Sequence, residues 1–261
     1  VKFFRAIKRF FQRFKAQPIP SRTTKPNEII KEPVLGFVPV FFVLIGHNSY
    51  AQGTSFKFGK KQSEWVFNNP VGDKILILMD GLCPKIPVYK LLRPVGTYGH
   101  QVRSVANAVK KITNKMRSYG ISLHINSGGG LGSENLIAKG TKDVFDNLFA
   151  DKLSDVLEVA LGIPQRRDDG VFEVGDSHNG AGMIKGMRDV NCIDTIVEPV
   201  FDHLHEQAEA IAGNPNRYAL ILTETIIICY LIRGFINKAD IIGQLQYWGI
   251  SQDMPMPKKK L

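Results

Sequence analysis

The first 26 residues of this chain contain no acidic residue, and the whole 261 contain only three cysteines. Cys83, Cys192 and Cys229 are scattered, with no C-x-x-C spacing. They form neither a disulfide framework nor a cysteine zinc site, so a reducing compartment is expected. The apolar stretch VLGFVPVFFVLI at 34–45 is too short to span a bilayer and contains Gly36 and Pro39, so it predicts a buried strand at Val40 to Ile45. No Gly-Lys-Ser/Thr follows a glycine loop, which excludes a Walker site. The chain has no internal repeat. Nor is there a basic stripe across the body of the kind nucleic acid requires, so no nucleic-acid partner is expected.

The positive charge is confined instead to the ends. Formal net charge is +10, yet residues 1–26 carry eight Lys or Arg, leaving 26 basic against 24 acidic groups in the rest. In VKFFRAIKRFFQRFK, Phe3, Ile7, Phe10 and Phe14 recur at helical spacing opposite a Lys/Arg face. Three readings fit: an interfacial helix on anionic lipid, a targeting presequence, or a helix docked on the domain. The expected organisation is a basic helix and linker at 1–33, one α/β domain at 34–253 and a basic tail at 254–261. Localisation is expected to be membrane-peripheral or organelle-targeted.

Strand and helix patterns alternate through the body. KILILM at 74–79 reads as a strand ending at Asp80-Gly81. Gln101 to Ser118 carries an apolar stripe at helical period (Val102, Val105, Ala106, Val109, Ile112, Met116). Ile121 to Ile125 reads as a strand, followed by glycines and a helix to about Phe149. The stretch 151–170 reads as helix and then a charged loop, Val171 to Val174 as a strand, and GDSHNGAGMIKGM as a loop entering a helix. This order predicts an α/β fold with a largely parallel sheet.

Gly128, Gly129 and Gly130 pose the functional question, because consecutive glycines carry a conformational cost and permit close approach of backbone. Their spacing departs from G-x-G-x-x-G, so a dinucleotide site is weakly supported. Ile125-Asn126-Ser127-Gly128-Gly129 resembles the INSPGG signature of the ClpP-type and SppA-type (signal peptide peptidase) serine peptidases, with Gly128 where that family has proline. The 74–81, 174–188 and 235–251 segments resemble other parts of the same ClpP/crotonase superfold. The resemblance implies a fold of repeated β-α-β units, a serine nucleophile, an oxyanion hole from Gly128 and Gly129, no cofactor, a peptide or protein substrate, and homo- or hetero-oligomers.

Within that resemblance Ser177 is the candidate nucleophile and His203 its base. His178, His205, Asp194, Asp202 and Lys185 are reserves. The triad is degenerate: His178 aligns more directly than Ser177, and the acid's position holds Arg233-Gly234. An inactive member of the family is therefore one outcome. Gly175 to Gly180 also approaches the elbow of an α/β-hydrolase of lipase or esterase type, again through Ser177. A non-enzymatic, membrane-associated scaffold subunit is a third reading. No metal is expected: His203 and His205, at i and i+2, do not share a helical face. His47, in LIGHNSY, follows a strand and reads as loop-bound.

Overall fold

The computed structural model describes residues 37–247, except 59, 142, 168, 176–180 and 244. The basic N-terminal helix, the C-terminal tail, Ser177 and His178 therefore lie outside the described residues. Contacts divide the chain after Phe37, and every element described here belongs to the unit from Val38 onward.

The elements follow in order: β1 (Phe41–Ile45), β2 (Ser55–Phe58), β3 (Lys60–Ser63), α1 (Glu64–Leu82), β4 (Val88–Leu92), α2 (Tyr98–Thr113), β5 (Ser118–Leu123) and β6 (Glu134–Ala138). Then come α3 (Val144–Leu161), β7 (Val171–Val174), α4 (Ala181–Arg188), β8 (Cys192–Glu198), α5 (His205–Ala212) and α6 (Pro215–Ile232). Six strands form one sheet in the order β4-β1-β5-β8-β6-β7. The four strands β4, β1, β5 and β8 are mutually parallel. β6 runs antiparallel to β8, and β7 runs parallel to β6. The expectation of an α/β fold with a largely parallel sheet is met at that level.

β1 shows why the sheet sits at the centre. All five of its residues are fully buried, as a strand covered on both faces requires. Side chains alternate across it. Phe42 and Leu44 join Val105 and Val109 of α2 and Met183 and Met187 of α4 on one face. Phe41 packs among Phe145, Phe149 and Tyr230 of α3 and α6 on the other. α6 is buried almost all round, from Tyr218 to Leu231, which is why its sequence shows no amphipathic stripe.

Two segments differ from expectation. KILILM is not a strand but the last half of α1. Val71, Ile75 and Met79 are buried at four-residue intervals while Ile77 is 65% exposed, a helical pattern that a six-residue apolar run conceals. The helix starts at Ser63, whose hydroxyl accepts from the Val66 N–H at 3.3 Å. The tri-glycine turn, in turn, leads into β6 rather than a helix. It reverses the chain so that β6 pairs antiparallel with β8, an order unlike the repeated β-α-β units anticipated. Gly130 is required sterically: a Cβ there would overlap the Phe201 ring at 2.2 Å.

Candidate metal centre

Parallel strands end at one edge of a sheet, and loops leaving that edge are where α/β proteins place their sites. Here β1, β5 and β8 are adjacent and end together. Gly46 N–H donates to the Leu123 carbonyl (3.0 Å) and His124 N–H to that of Val197 (2.9 Å), extending the pairing past the last strand residues. His47 therefore follows β1, His124 follows β5, and Glu198 is the last residue of β8. Gly46 leaves no room for a side chain, since a Cβ would lie 2.4 Å from the His124 ring. Glu64 opens α1, where the helix N-terminus favours its negative charge.

Three residues from distant parts of the chain, His47, Glu64 and His124, thus converge. His124 Nδ1 lies 2.9 Å from Glu64 Oε1, and His47 Nε2 lies 3.4 Å from Oε2. The two imidazoles meet edge to face, centroids 5.2 Å apart. One donor atom from each of His47, Glu64 and His124 lies within 4.8 Å of the others. Glu64 is 2% exposed; its Oε2 accepts from the Thr54 N–H at 3.2 Å, and its Oε1 faces His124 Nδ1. A buried carboxylate needs compensating positive charge or hydrogen bonds. A cation shared with the two imidazoles is one group that would supply it. Two imidazole nitrogens and one carboxylate oxygen are the donor set of a catalytic zinc site, which keeps a further position open.

The electrostatics agree. Burial pushes the His47 imidazole below its usual range, assisted by His124 and Arg93 and opposed by Glu64, which keeps it neutral and able to ligate. Burial alone would raise the Glu64 carboxyl; the adjoining His124 and His47 outweigh it and hold the group below the ordinary carboxylate range. Arg93, just past β4 and 8% exposed, places Nη2 3.4 Å from His124 Nε2. Burial, then Glu134 and Glu64, push the Glu198 carboxyl up to about 8. A carboxyl titrating near neutral pH beside three metal-type donors is suited to carrying a proton.

The residues singled out from sequence lie elsewhere. None of those described belongs to the His47–Glu64–His124 group. Gly128 and Gly129 are exposed in the turn before β6. His203 is half exposed, with Nδ1 3.7 Å from Asp202 Oδ1, and Asp202 accepts from the Thr54 hydroxyl at 2.5 Å. His205 is the first residue of α5. β7 runs parallel to β6 and ends at Val174 beside Ala138, the edge opposite the tri-glycine turn. Lys185 lines a small cavity with Ala138 and Val174 at that opposite edge.

Asp194 is buried in the middle of β8, accepting from the Ser122 hydroxyl at 2.7 Å. Burial, against the opposing effects of Ser122 and Arg93, pushes it from 3.8 up to about 7. The folded chain therefore holds a proton that the unfolded chain has released. The stability this preserves is complete below about pH 4 and is lost as pH rises through 7. Asp194→Asn keeps the neutral shape at every pH. It is expected to stabilise by about 4 kcal/mol at pH 8 and by less than half of that at pH 5. Urea unfolding at the two pH values checks this; a gain that does not grow with pH contradicts it.

No family model matches the chain, and no curated protein matches it in sequence. Solved structures do. The catalytic domain of CwlV, an N-acetylmuramoyl-L-alanine amidase from Bacillus (Paenibacillus) polymyxa var. colistinus, aligns with TM-score 0.54 and 19% identity over 75% of this chain and 99% of its own. An N-acetylmuramoyl-L-alanine amidase from Clostridium difficile 630 gives 0.54 and 15% over 75% and 97%. The putative one from Neisseria meningitidis gives 0.54 and 12% over 72% and 94%. At these identities the likeness is one of fold. It corrects the resemblance drawn from INSGGG: the neighbours are amidases, not ClpP-type or SppA-type serine peptidases, and the ClpP/crotonase fold is not supported. The α/β-hydrolase and scaffold alternatives do not match them either. The short motif misled because Asn126 and the glycines serve a chain reversal into β6.

Proposed function

We propose that the protein is a metal-dependent hydrolase that cleaves the amide between an N-acetylmuramoyl group and L-alanine. The observation carrying this reading is the convergence of His47, Glu64 and His124 at the carboxyl edge of β1 and β5, with Glu198 ending the adjacent β8 under the electrostatic influence of Glu64, in a fold shared with such amidases. Hydrolysis, the reaction class expected from sequence, is retained; the serine machinery is replaced.

His47, Glu64 and His124 would hold the ion, which supplies Lewis acidity toward the amide carbonyl and eases ionisation of water. The protein's own work is proton handling. Cationic charge at the donor group favours ionised Glu198. That carboxylate takes a proton from the attacking water as the water oxygen bonds to the carbonyl carbon. Glu198 then returns the proton to the amide nitrogen as the C–N bond breaks, so acid and amine leave with balanced charge. Glu134, the register partner of Glu198, keeps the proton affinity of that carboxyl high and is itself held by Arg166 and Asn126.

The test is direct. Folded protein supplied with zinc is incubated with an N-acetylmuramoyl-L-alanyl peptide, and the released amine is measured. Release of the L-alanyl amine that chelator stops is expected; intact substrate with zinc bound overturns the reading.

A further inference from the structure

Beside the centre lies an open cleft of about 510 Å³, lined by Gly129, Gly130, Leu131, Arg166, Arg167 and His203 among others. It adjoins Glu198 through Glu134: Arg166 Nη1 lies 2.5 Å from Glu134 Oε2, and Glu134 pairs with Glu198 across β6 and β8. We infer that this cleft binds a carboxylate of the peptide that carries the nitrogen of the scissile amide. The identity of that ligand rests on the amidase reading; the cleft's preference for a carboxylate does not.

Three features carry the inference. The first is fixed placement. Ser133 N–H donates to the Pro164 carbonyl (2.8 Å), Arg166 N–H to that of Ser133 (2.9 Å) and Gly170 N–H to that of Arg166 (3.0 Å). The turn bearing both arginines is thereby bonded to the start of β6. Arg167 is held at φ +61°, a conformation that side-chain-bearing residues avoid. The second is charge. Two guanidiniums share one carboxylate, Glu134; Arg166 takes it closely, while Arg167 Nε stands 4.0 Å away with half its side chain exposed. The third is shape. Arg166 lies over the Phe201 ring at 4.9 Å and Arg167 over Phe172 at 3.9 Å. A stacked guanidinium keeps its N–H edge for a planar acceptor, and a carboxylate matches two parallel donors. Gly129 and Gly130 on the facing wall carry no side chain, which leaves room before the arginines.

The reaction decides which carboxylate. In an N-acetylmuramoyl amide the acyl side has spent its carboxyl in the bond to be cut. The amine side is an amino acid or peptide and still ends in one. A cation-lined cleft next to the centre therefore fits the amine side.

The test uses the whole protein and two probes, trialanine and its C-terminal amide, by calorimetry. N-acetylmuramoyl-trialanine and its C-terminal amide serve as substrates. Trialanine is expected to bind roughly three- to tenfold more tightly than the amide. Arg167→Gln, an exposed substitution, is expected to erase that preference and to raise KM for the acid substrate alone, with kcat unchanged. Equal binding of the two probes to the wild type overturns the inference, as does a preference that survives in Arg167→Gln with Arg166 intact. Cleavage without discrimination removes the cleft's role and leaves the amidase reading standing. Discrimination without cleavage supports the carboxylate site and removes the amidase reading.

Discussion

Glu198→Gln, in zinc-loaded protein, is expected to lower kcat for amide hydrolysis by roughly 10²- to 10⁴-fold, the range general acid–base groups contribute. Gln keeps the size and much of the hydrogen bonding of a protonated carboxyl but cannot accept the proton that water must lose. Glu198 lies outside the His47–Glu64–His124 donor group, so metal content is expected to match the wild type. This separates proton transfer from metal binding: metal analysis and circular dichroism unchanged, turnover lost. Glu134→Gln supplies a graded companion. Removing that neighbouring negative charge is expected to lower the proton affinity of Glu198, because Glu134 is one of the groups that push it to about 8. The acid limb of the pH–rate profile, which reports ionisation of Glu198, then shifts to lower pH without the loss seen in Glu198→Gln. Full activity in Glu198→Gln would transfer the proton-carrying role to another residue.

The sequence disclosed this architecture unevenly, and the pattern has physical causes. β1 at Phe41–Ile45 and α2 at Tyr98–Thr113 are legible because burial on both faces and a helical stripe each leave a distinct mark. α1 is ambiguous in sequence because KILILM, cut from its context, satisfies a strand as well as a helix; the cap at Ser63 lies eleven residues upstream of Lys74. The reversal of β6 was invisible, since the glycine turn specifies flexibility and not direction.

The site was hidden for a related reason. His47 in LIGHN, His124 in SLHIN and Glu198 in TIVEP share one local signal, a titratable residue at the carboxyl end of an apolar strand. Each alone is an ordinary polar residue at a strand end. Only the adjacency of β1, β5 and β8 makes them one site, and strand order is a long-range property. Glu64 carries a weaker mark still, as the residue after a helix cap. Ser177 and His203 stand out in the sequence because a nucleophile and a base can be named from a short motif, whereas a metal site assembled from several elements cannot.

Removal of a single donor from the trio should therefore be the most revealing change. The protein is expected to bind one zinc ion per chain, and His124→Ala or Glu64→Gln to abolish stoichiometric binding, measured by mass spectrometry and metal analysis after dialysis. His203→Ala is expected to keep the ion, because His203 stands apart from the donor group in the loop after β8. Stability should follow binding. An ion at a thousand times its dissociation constant contributes about 4 kcal/mol to a folded state that alone binds it. For a domain of this size that corresponds to a rise in Tm of about 10 °C, which chelator reverses. In Glu64→Gln the rise should vanish. The burial of Glu64 gives the reason the effect is large: its charge is held out of water, so a cation that binds it there acts through a weakly screened interaction. Zinc that raises Tm equally in wild type, His124→Ala and Glu64→Gln would place the ion elsewhere and leave His47, Glu64 and His124 as a buried polar cluster with no catalytic part.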